Sequence, residues 1–186
     1  MSKLEREIKL RFESPDEARR RVLAAGATPL RGRRLQEDSL LDTDDERLRR
    51  QRSVLRIRSE GGKSLLTYKG PVQPSEMKLR EEKETIVADG EVLLQVFREL
   101  GLHVWFRYEK YREEFAAEDL VIAVDETPVG TFVEIEGGEA RIHEMAAALG
   151  CTRADYITDS YRAIFLQQRD AHGLTGNDMV FAVSLP

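Results

Sequence analysis

Two glutamates and a lysine, Glu5, Glu7 and Lys9, fall at alternate positions of the segment Glu5-Arg6-Glu7-Ile8-Lys9-Leu10-Arg11-Phe12. Strand side chains alternate between faces, so the two acids, Lys9 and Arg11 share one side while Ile8, Leu10 and Phe12 share the other. One such strand would be an ordinary half-buried strand with a solvated face. The same alternation returns in Arg56-Ile57-Arg58, Thr67-Tyr68-Lys69, Lys78-Leu79-Arg80-Glu81-Glu82-Lys83-Glu84, Lys110-Tyr111-Arg112 and Glu134-Ile135-Glu136. If every strand turns its charges to one common side, Glu5, Glu7, Glu82, Glu84, Glu134 and Glu136 meet Lys9, Arg56, Arg58, Lys69, Lys78, Arg80, Lys110 and Arg112. So many enclosed cations are costly without anionic partners. A polyanion relieves that cost, because guanidiniums grip phosphate oxygens through paired donors and lysines act as point charges. The acids would repel a polyphosphate unless a hard divalent cation, Mg²⁺ or Mn²⁺, bridges carboxylate to phosphate. Positioning and charge neutralisation of this kind serve phosphoryl or nucleotidyl transfer.

The elements that must position these groups make an α+β chain: eight candidate strands with no long parallel crossovers, closing as an antiparallel barrel with helices outside. Ser14-Pro15-Asp16-Glu17 starts a helix that Gly26 ends. A strand over residues 31 to 42 follows, then a turn at Asp42-Thr43-Asp44-Asp45. The basic run Arg47, Arg49, Arg50, Arg52 reads as a solvated loop or short helix face. Strands over 54 to 59 and 64 to 69 form a hairpin, and a strand over 78 to 87 leads into a helix capped at Asp89-Gly90. That helix carries Leu93, Val96, Phe97 and Leu100 as a core stripe. Strands follow over 103 to 115, 120 to 124 and 131 to 136, with a turn at Asp125-Glu126-Thr127-Pro128. Gly137-Gly138 opens a helix burying Ile142, Met145, Ala146 and Leu149, and a last helix runs through about residues 158 to 169. The barrel thus occupies 1 to 169, with 170 to 186 a tail of unassigned order.

At 186 residues the chain suits one domain with a real core, and 29 basic against 34 acidic residues leave a formal charge of −5. An acidic total disfavours a general nucleic-acid partner. The single cysteine, Cys151, permits no intrachain disulfide, and three scattered histidines make no Cys/His zinc set. His103 and His143 read as structural or exposed, and Cys151 as an unactivated thiol. No apolar leader or membrane-length run is visible, which points to a cytoplasmic protein without a membrane partner.

These residues resemble the CYTH family of triphosphate tunnel metalloenzymes, which includes class IV adenylate cyclases, thiamine triphosphatases and inorganic triphosphatases. The resemblance is carried by Glu5-Arg6-Glu7-Ile8-Lys9, Leu55-Arg56-Ile57-Arg58, Tyr68-Lys69-Gly70-Pro71, Arg80-Glu81-Glu82-Lys83-Glu84, Glu109-Lys110-Tyr111-Arg112, Val124-Asp125-Glu126 and Phe132-Val133-Glu134-Ile135-Glu136-Gly137. It implies an eight-stranded tunnel with a triphosphate in a basic lumen and Mg²⁺ or Mn²⁺ on acidic strand residues. Carried over, Glu5, Glu7, Asp125, Glu134 and Glu136 form the metal side. Lys9, Arg56, Arg58, Lys69, Lys78, Arg80, Lys110 and Arg112 form the phosphate side, and Glu5, Glu7, Lys9, Lys110 and Arg112 carry the reaction. Tyr111 stands where many relatives have a second base, and its parity, shared with Arg107, places it outside the lumen. Hydrolysis of a small triphosphate is the favoured activity, since no adenine pocket is legible. Cyclisation of ATP is the alternative, and a non-catalytic polyphosphate or nucleotide binder is a third reading.

Overall fold

Eight strands whose apolar residues share one face cannot lie flat without wetting that face, and a closed barrel clad in helices removes the problem. The computed structural model describes residues 3–182 and shows this closure. Its strands are β1 (Lys3–Phe12), β2 (Thr28–Thr43), β3 (Val54–Glu60), β4 (Lys63–Lys69), β5 (Lys78–Val87), β6 (Leu102–Ala117), β7 (Leu120–Thr127) and β8 (Gly130–Glu136). They close in the order β1-β5-β4-β3-β2-β6-β7-β8, and every neighbouring pair is antiparallel. The helices are α1 (Pro15–Ala24), α2 (Arg47–Arg50), α3 (Gly90–Glu99), α4 (Glu139–Ala148) and α5 (Tyr161–Gln168).

The apolar parity faces outward as the sequence demands. Ile8, Leu10, Val133 and Ile135 on the barrel wall are fully buried and Ile57 nearly so. Ser14 caps α1 by accepting from the Glu17 amide at 3.2 Å, and Pro15 opens the helix. Ala18 and Val22 of α1, with Ile142, Met145 and Ala146 of α4 and Leu149 just after it, cover β1, β7 and β8 in one core. A second core gathers Phe106, Tyr108, Phe132, Ile164, Phe165 and Met179 beneath α5. Between β3 and β4, Gly61 and Gly62 both have positive φ, 55° and 76°, as a tight two-residue hairpin turn requires.

Four local expectations need correction. First, β7 continues through Asp125, Glu126 and Thr127, because Asp125 pairs with Arg112 on one side and Phe132 on the other. The turn falls at Pro128 and Val129. Second, β2 is longer than expected, running from Thr28 to Thr43, and Asp42 near its end is an anchor: its buried carboxylate accepts from the amides of Thr43, Leu48 and Arg49. Third, the α3 stripe is not core, since Val96 is 47% and Leu100 67% exposed. Of that stripe only Leu93 and Phe97 are half-buried; α3 lies over β3, β4 and β6, with its first residue, Gly90, close to Ile57 and Ser64. Fourth, the basic run is the expected short helix, yet Arg49 and Arg52 face the central cavity. The chain beyond α5 folds back: Met179 is buried and exchanges backbone hydrogen bonds with Arg107 and Glu109 of β6.

Candidate functional site

The inward faces of the barrel enclose a cavity of about 1110 Å³. Of the residues expected in the lumen, Glu5, Glu7, Lys9, Arg56, Arg58, Lys69, Lys78, Arg80, Glu82, Glu84, Lys110, Arg112, Glu134 and Glu136 all line it. Asp125 lies directly behind this lining, fully buried.

Neighbouring strands set who meets whom. Glu7 stands opposite Lys78 on β5 and Glu136 on β8, while Lys9 stands opposite Glu134. Glu7 therefore receives Lys78 Nζ at 2.5 Å and Lys9 Nζ at 3.2 Å. Burial opposes its charge, but these two ammoniums outweigh burial and hold its pKa below the usual carboxylate range. For Glu5, burial wins and its pKa is raised, although Lys69 Nζ touches both its oxygens at 2.7 Å. Lys69 also reaches Glu82 at 3.1 Å. Burial, together with nearby cations, pushes Lys78 and Lys110 down to about 8.

Asp125 is a hub. Its carboxylate accepts from Lys110 Nζ at 2.8 Å, from Arg112 Nε at 2.7 Å and from the Tyr161 hydroxyl at 2.6 Å. Arg112 also bridges to Glu134. A second buried acid, Asp38 on β2, takes Arg58 in two parallel bonds of 2.9 and 3.1 Å and Arg56 at 3.3 Å. Glu60 gathers Arg31, Arg34 and Gln36 at the β3–β4 end of the tunnel. Burial would raise the Glu60 pKa, but its hydrogen bonds from Gln36, Arg34 and Arg31 bring it to about 2.

Arg80 differs from the other lumen arginines. It is only 6% exposed, its Nε has no hydrogen-bond partner, and no ion pair is formed by it among the described residues. A buried guanidinium in this state is positioned for an acceptor brought by a ligand.

The metal question turns on the lumen acids. Glu7 and Glu134 already converge on one cation, Lys9 Nζ, at 3.2 and 3.5 Å. These are hard oxygen donors of the type that Mg²⁺ and Mn²⁺ take. The residues fit such an ion once the lysines withdraw, although no three acids among the described residues stand preassembled around one point. The oxygens of Asp125 are instead turned toward three donors.

Several residues of the site are not among those the sequence singles out. Asp38 and Gln36 occupy alternate positions of β2, so strand parity carries a legible signal for them. Tyr161 had no such signal, because it arrives from a helix. Its ring lies 5.3 Å from Lys9 Nζ and 4.7 Å from Lys110 Nζ. Trp105 reaches the cavity because the β2–β6 register slips between Leu40 and Leu41, inserting an extra residue into β6 at that level. Arg107 is exposed and Tyr111 lies outside the lumen, covered by Arg33 at 3.7 Å and by Phe181. His103 pairs with Asp44 and His143 with Tyr156, away from the cavity.

A closed antiparallel barrel with an ionic lumen is an uncommon architecture, and it defines a class of tunnel proteins. The chain belongs to the CYTH family, whose domain model matches residues 3–152. CYTH proteins are metal-dependent enzymes that act on triphosphates, as adenylate cyclases or as triphosphatases. A Methanocaldococcus jannaschii protein, provisionally named an adenylate cyclase, is 31% identical over 142 residues, 76% of this chain and 81% of the relative. A solved Pyrococcus horikoshii structure superposes with a TM-score of 0.75 at 25% identity, covering 89% of this chain and 99% of that one. A Hippeastrum protein with an adenylyl cyclase name, described as having a dominant triphosphatase activity, superposes with a TM-score of 0.66 at 20% identity, covering 95% and 98%. No helix among the described residues is long and apolar enough to cross a membrane.

Proposed function

We propose that the protein is a metal-dependent triphosphatase that removes the terminal phosphate of tripolyphosphate or of a small organic triphosphate. The observation that carries this reading is the composition of the enclosed lumen: eight cations suited to phosphate oxygens face inward beside glutamates suited to a divalent ion, with Arg80 buried and unpartnered. Arg56, Arg58, Lys69, Lys78 and Arg80 hold the phosphate chain. Glu5, Glu7, Glu134 and Glu136 are the side toward which Mg²⁺ or Mn²⁺ would bind, and that ion supplies charge neutralisation and polarises the attacking water. Lys9, Lys110 and Arg112 face the same acids, and Asp125 and Tyr161 fix Lys110 and Arg112 in place.

Hydrolysis needs the phosphates gripped and one water aligned, which charged walls accomplish unaided. Cyclisation instead needs the ribose 3′-hydroxyl folded onto the α-phosphorus, with sugar and base held separately. The name of the Methanocaldococcus jannaschii relative favours that second reading; the Hippeastrum protein illustrates that this fold carries triphosphatase activity under a cyclase name.

Product identification separates the possibilities. With Mg²⁺ or Mn²⁺, tripolyphosphate should release orthophosphate faster than ATP yields any product. Faster formation of cyclic AMP and pyrophosphate from ATP would replace the triphosphatase by a cyclase. Tight binding with no turnover and no metal requirement would leave only a binding module.

A further inference from the structure

The cavity extends past the lumen cations to a mouth built by α2, β6 and α5. Its volume of about 1110 Å³ matches or exceeds the roughly 300–1,000 Å³ of pockets that enclose drug-sized ligands, more than a chain of three phosphates fills. Three arginines line this outer part, Arg49, Arg52 and Arg162. Arg49 is anchored from behind by Asp42 at 3.0 Å and touched by exposed Glu46 at 3.4 Å. Arg52 and Arg162 form no ion pair among the described residues. The Arg49 and Arg162 guanidiniums sit 4.2 and 4.7 Å from the centre of the Trp105 ring, so the indole gathers two like charges at one spot. Asp159 also lines the mouth, but its carboxylate turns to Gln167 at 3.5 Å and pairs with none of the arginines. Arg52 holds a φ of 56°, a left-handed value uncommon outside glycine, at the junction of α2 and β3.

We propose that this mouth is a second anion subsite that takes phosphate groups beyond the third, so that the tunnel binds linear polyphosphates longer than tripolyphosphate in preference to it. The inference rests on the lumen being a triphosphate site and specifies what extends from it. Arg52 and Arg162, unpaired beside the paired Arg49, attract further phosphates and repel a cationic head, so thiamine triphosphate, with its thiazolium charge, is disfavoured at the same place.

The test is calorimetric titration of the full chain without metal, so that no turnover intervenes, using tripolyphosphate, tetrapolyphosphate, pentapolyphosphate and thiamine triphosphate. Pentapolyphosphate should bind wild type about tenfold tighter than tripolyphosphate, a difference of about 1.4 kcal/mol. A longer chain also gains a small statistical advantage from its extra registers, and substitutions at the mouth separate that from a real subsite. In Arg52→Gln and Arg162→Gln the preference should shrink to the statistical remainder of about threefold or less, while tripolyphosphate affinity stays within about twofold. Thiamine triphosphate should bind more weakly than tripolyphosphate. An equal preference in wild type and both variants, no preference at all, or thiamine triphosphate binding as tightly as pentapolyphosphate would overturn the subsite. Failure of tripolyphosphate itself to bind, both without metal and in a repeat with Mg²⁺, would overturn the triphosphate reading of the lumen, and the subsite with it.

Discussion

Arg80 shows how a functional residue can cost stability. Burying a guanidinium without a partner is unfavourable, and that cost is recovered only when an anion arrives. Arg80→Met should therefore melt no lower than wild type in the absence of ligand, yet bind tripolyphosphate at least about tenfold more weakly. A lower melting temperature with unchanged affinity would show that Arg80 serves the fold instead. Lys78 and Lys110 make a second residue-level prediction. Burial and neighbouring cations bring both to about 8, whereas an unfolded lysine keeps its proton to about 10.4. Between those values the unfolded chain binds more protons, so ligand-free stability rises with pH. Over the same window the lumen loses positive charge, so tripolyphosphate affinity falls. Melts and titrations from about pH 7 to 9.5 should show opposite slopes, and parallel slopes would refute the assignment. Individual lumen residues were legible from strand parity alone, as Glu7, Lys9, Arg58 and Glu134 illustrate. Their pairing was not, because which carboxylate meets which ammonium depends on strand neighbours distant in sequence.

At the scale of elements, alternation read the strands well and amphipathicity read one helix badly. α4 buries the face its sequence displays, because β1 and β8 present Ile8 and Ile135 to it. α3 has an equally clear stripe, yet where it lies over β3, β4 and β6 nothing among the described residues covers Val96 and Leu100, which remain in water. A helix can advertise an apolar face; only its neighbour decides whether the face is covered. The β8–α4 junction supplies a test. Gly137 has φ of 153°, and a Cβ there would stand 2.6 Å from Leu120 Cδ2 and 3.2 Å from the Asp119 carbonyl oxygen. Gly137→Ala should cost about 1–3 kcal/mol, read as a lower melting temperature, because a backbone atom in the way cannot rotate aside. An unchanged melt would mean that the junction tolerates more movement than its packing indicates.

For the whole molecule, the closed ionic tunnel predicts linkage between ligand and fold. Tripolyphosphate at a hundredfold excess over its dissociation constant should stabilise the protein by about 2.7 kcal/mol. Sodium chloride at matched ionic strength should not reproduce the shift, since screening weakens the surface ion pairs as well as the repulsion in the lumen. If plain salt stabilises equally, the effect is general screening and not occupancy of the tunnel. The sequence by itself determined that charges and apolar residues take opposite faces of six strands, because a period of two leaves no other assignment, and the inside-out barrel follows once two further strands close it. Only the tertiary structure decided that Asp38 and Asp125 lie at the centres of the cation networks, that Tyr161 enters from α5, and that Trp105 reaches the mouth through a slip in register. Those placements arise where segments far apart in the chain meet, and local periodicity carries no information about such meetings.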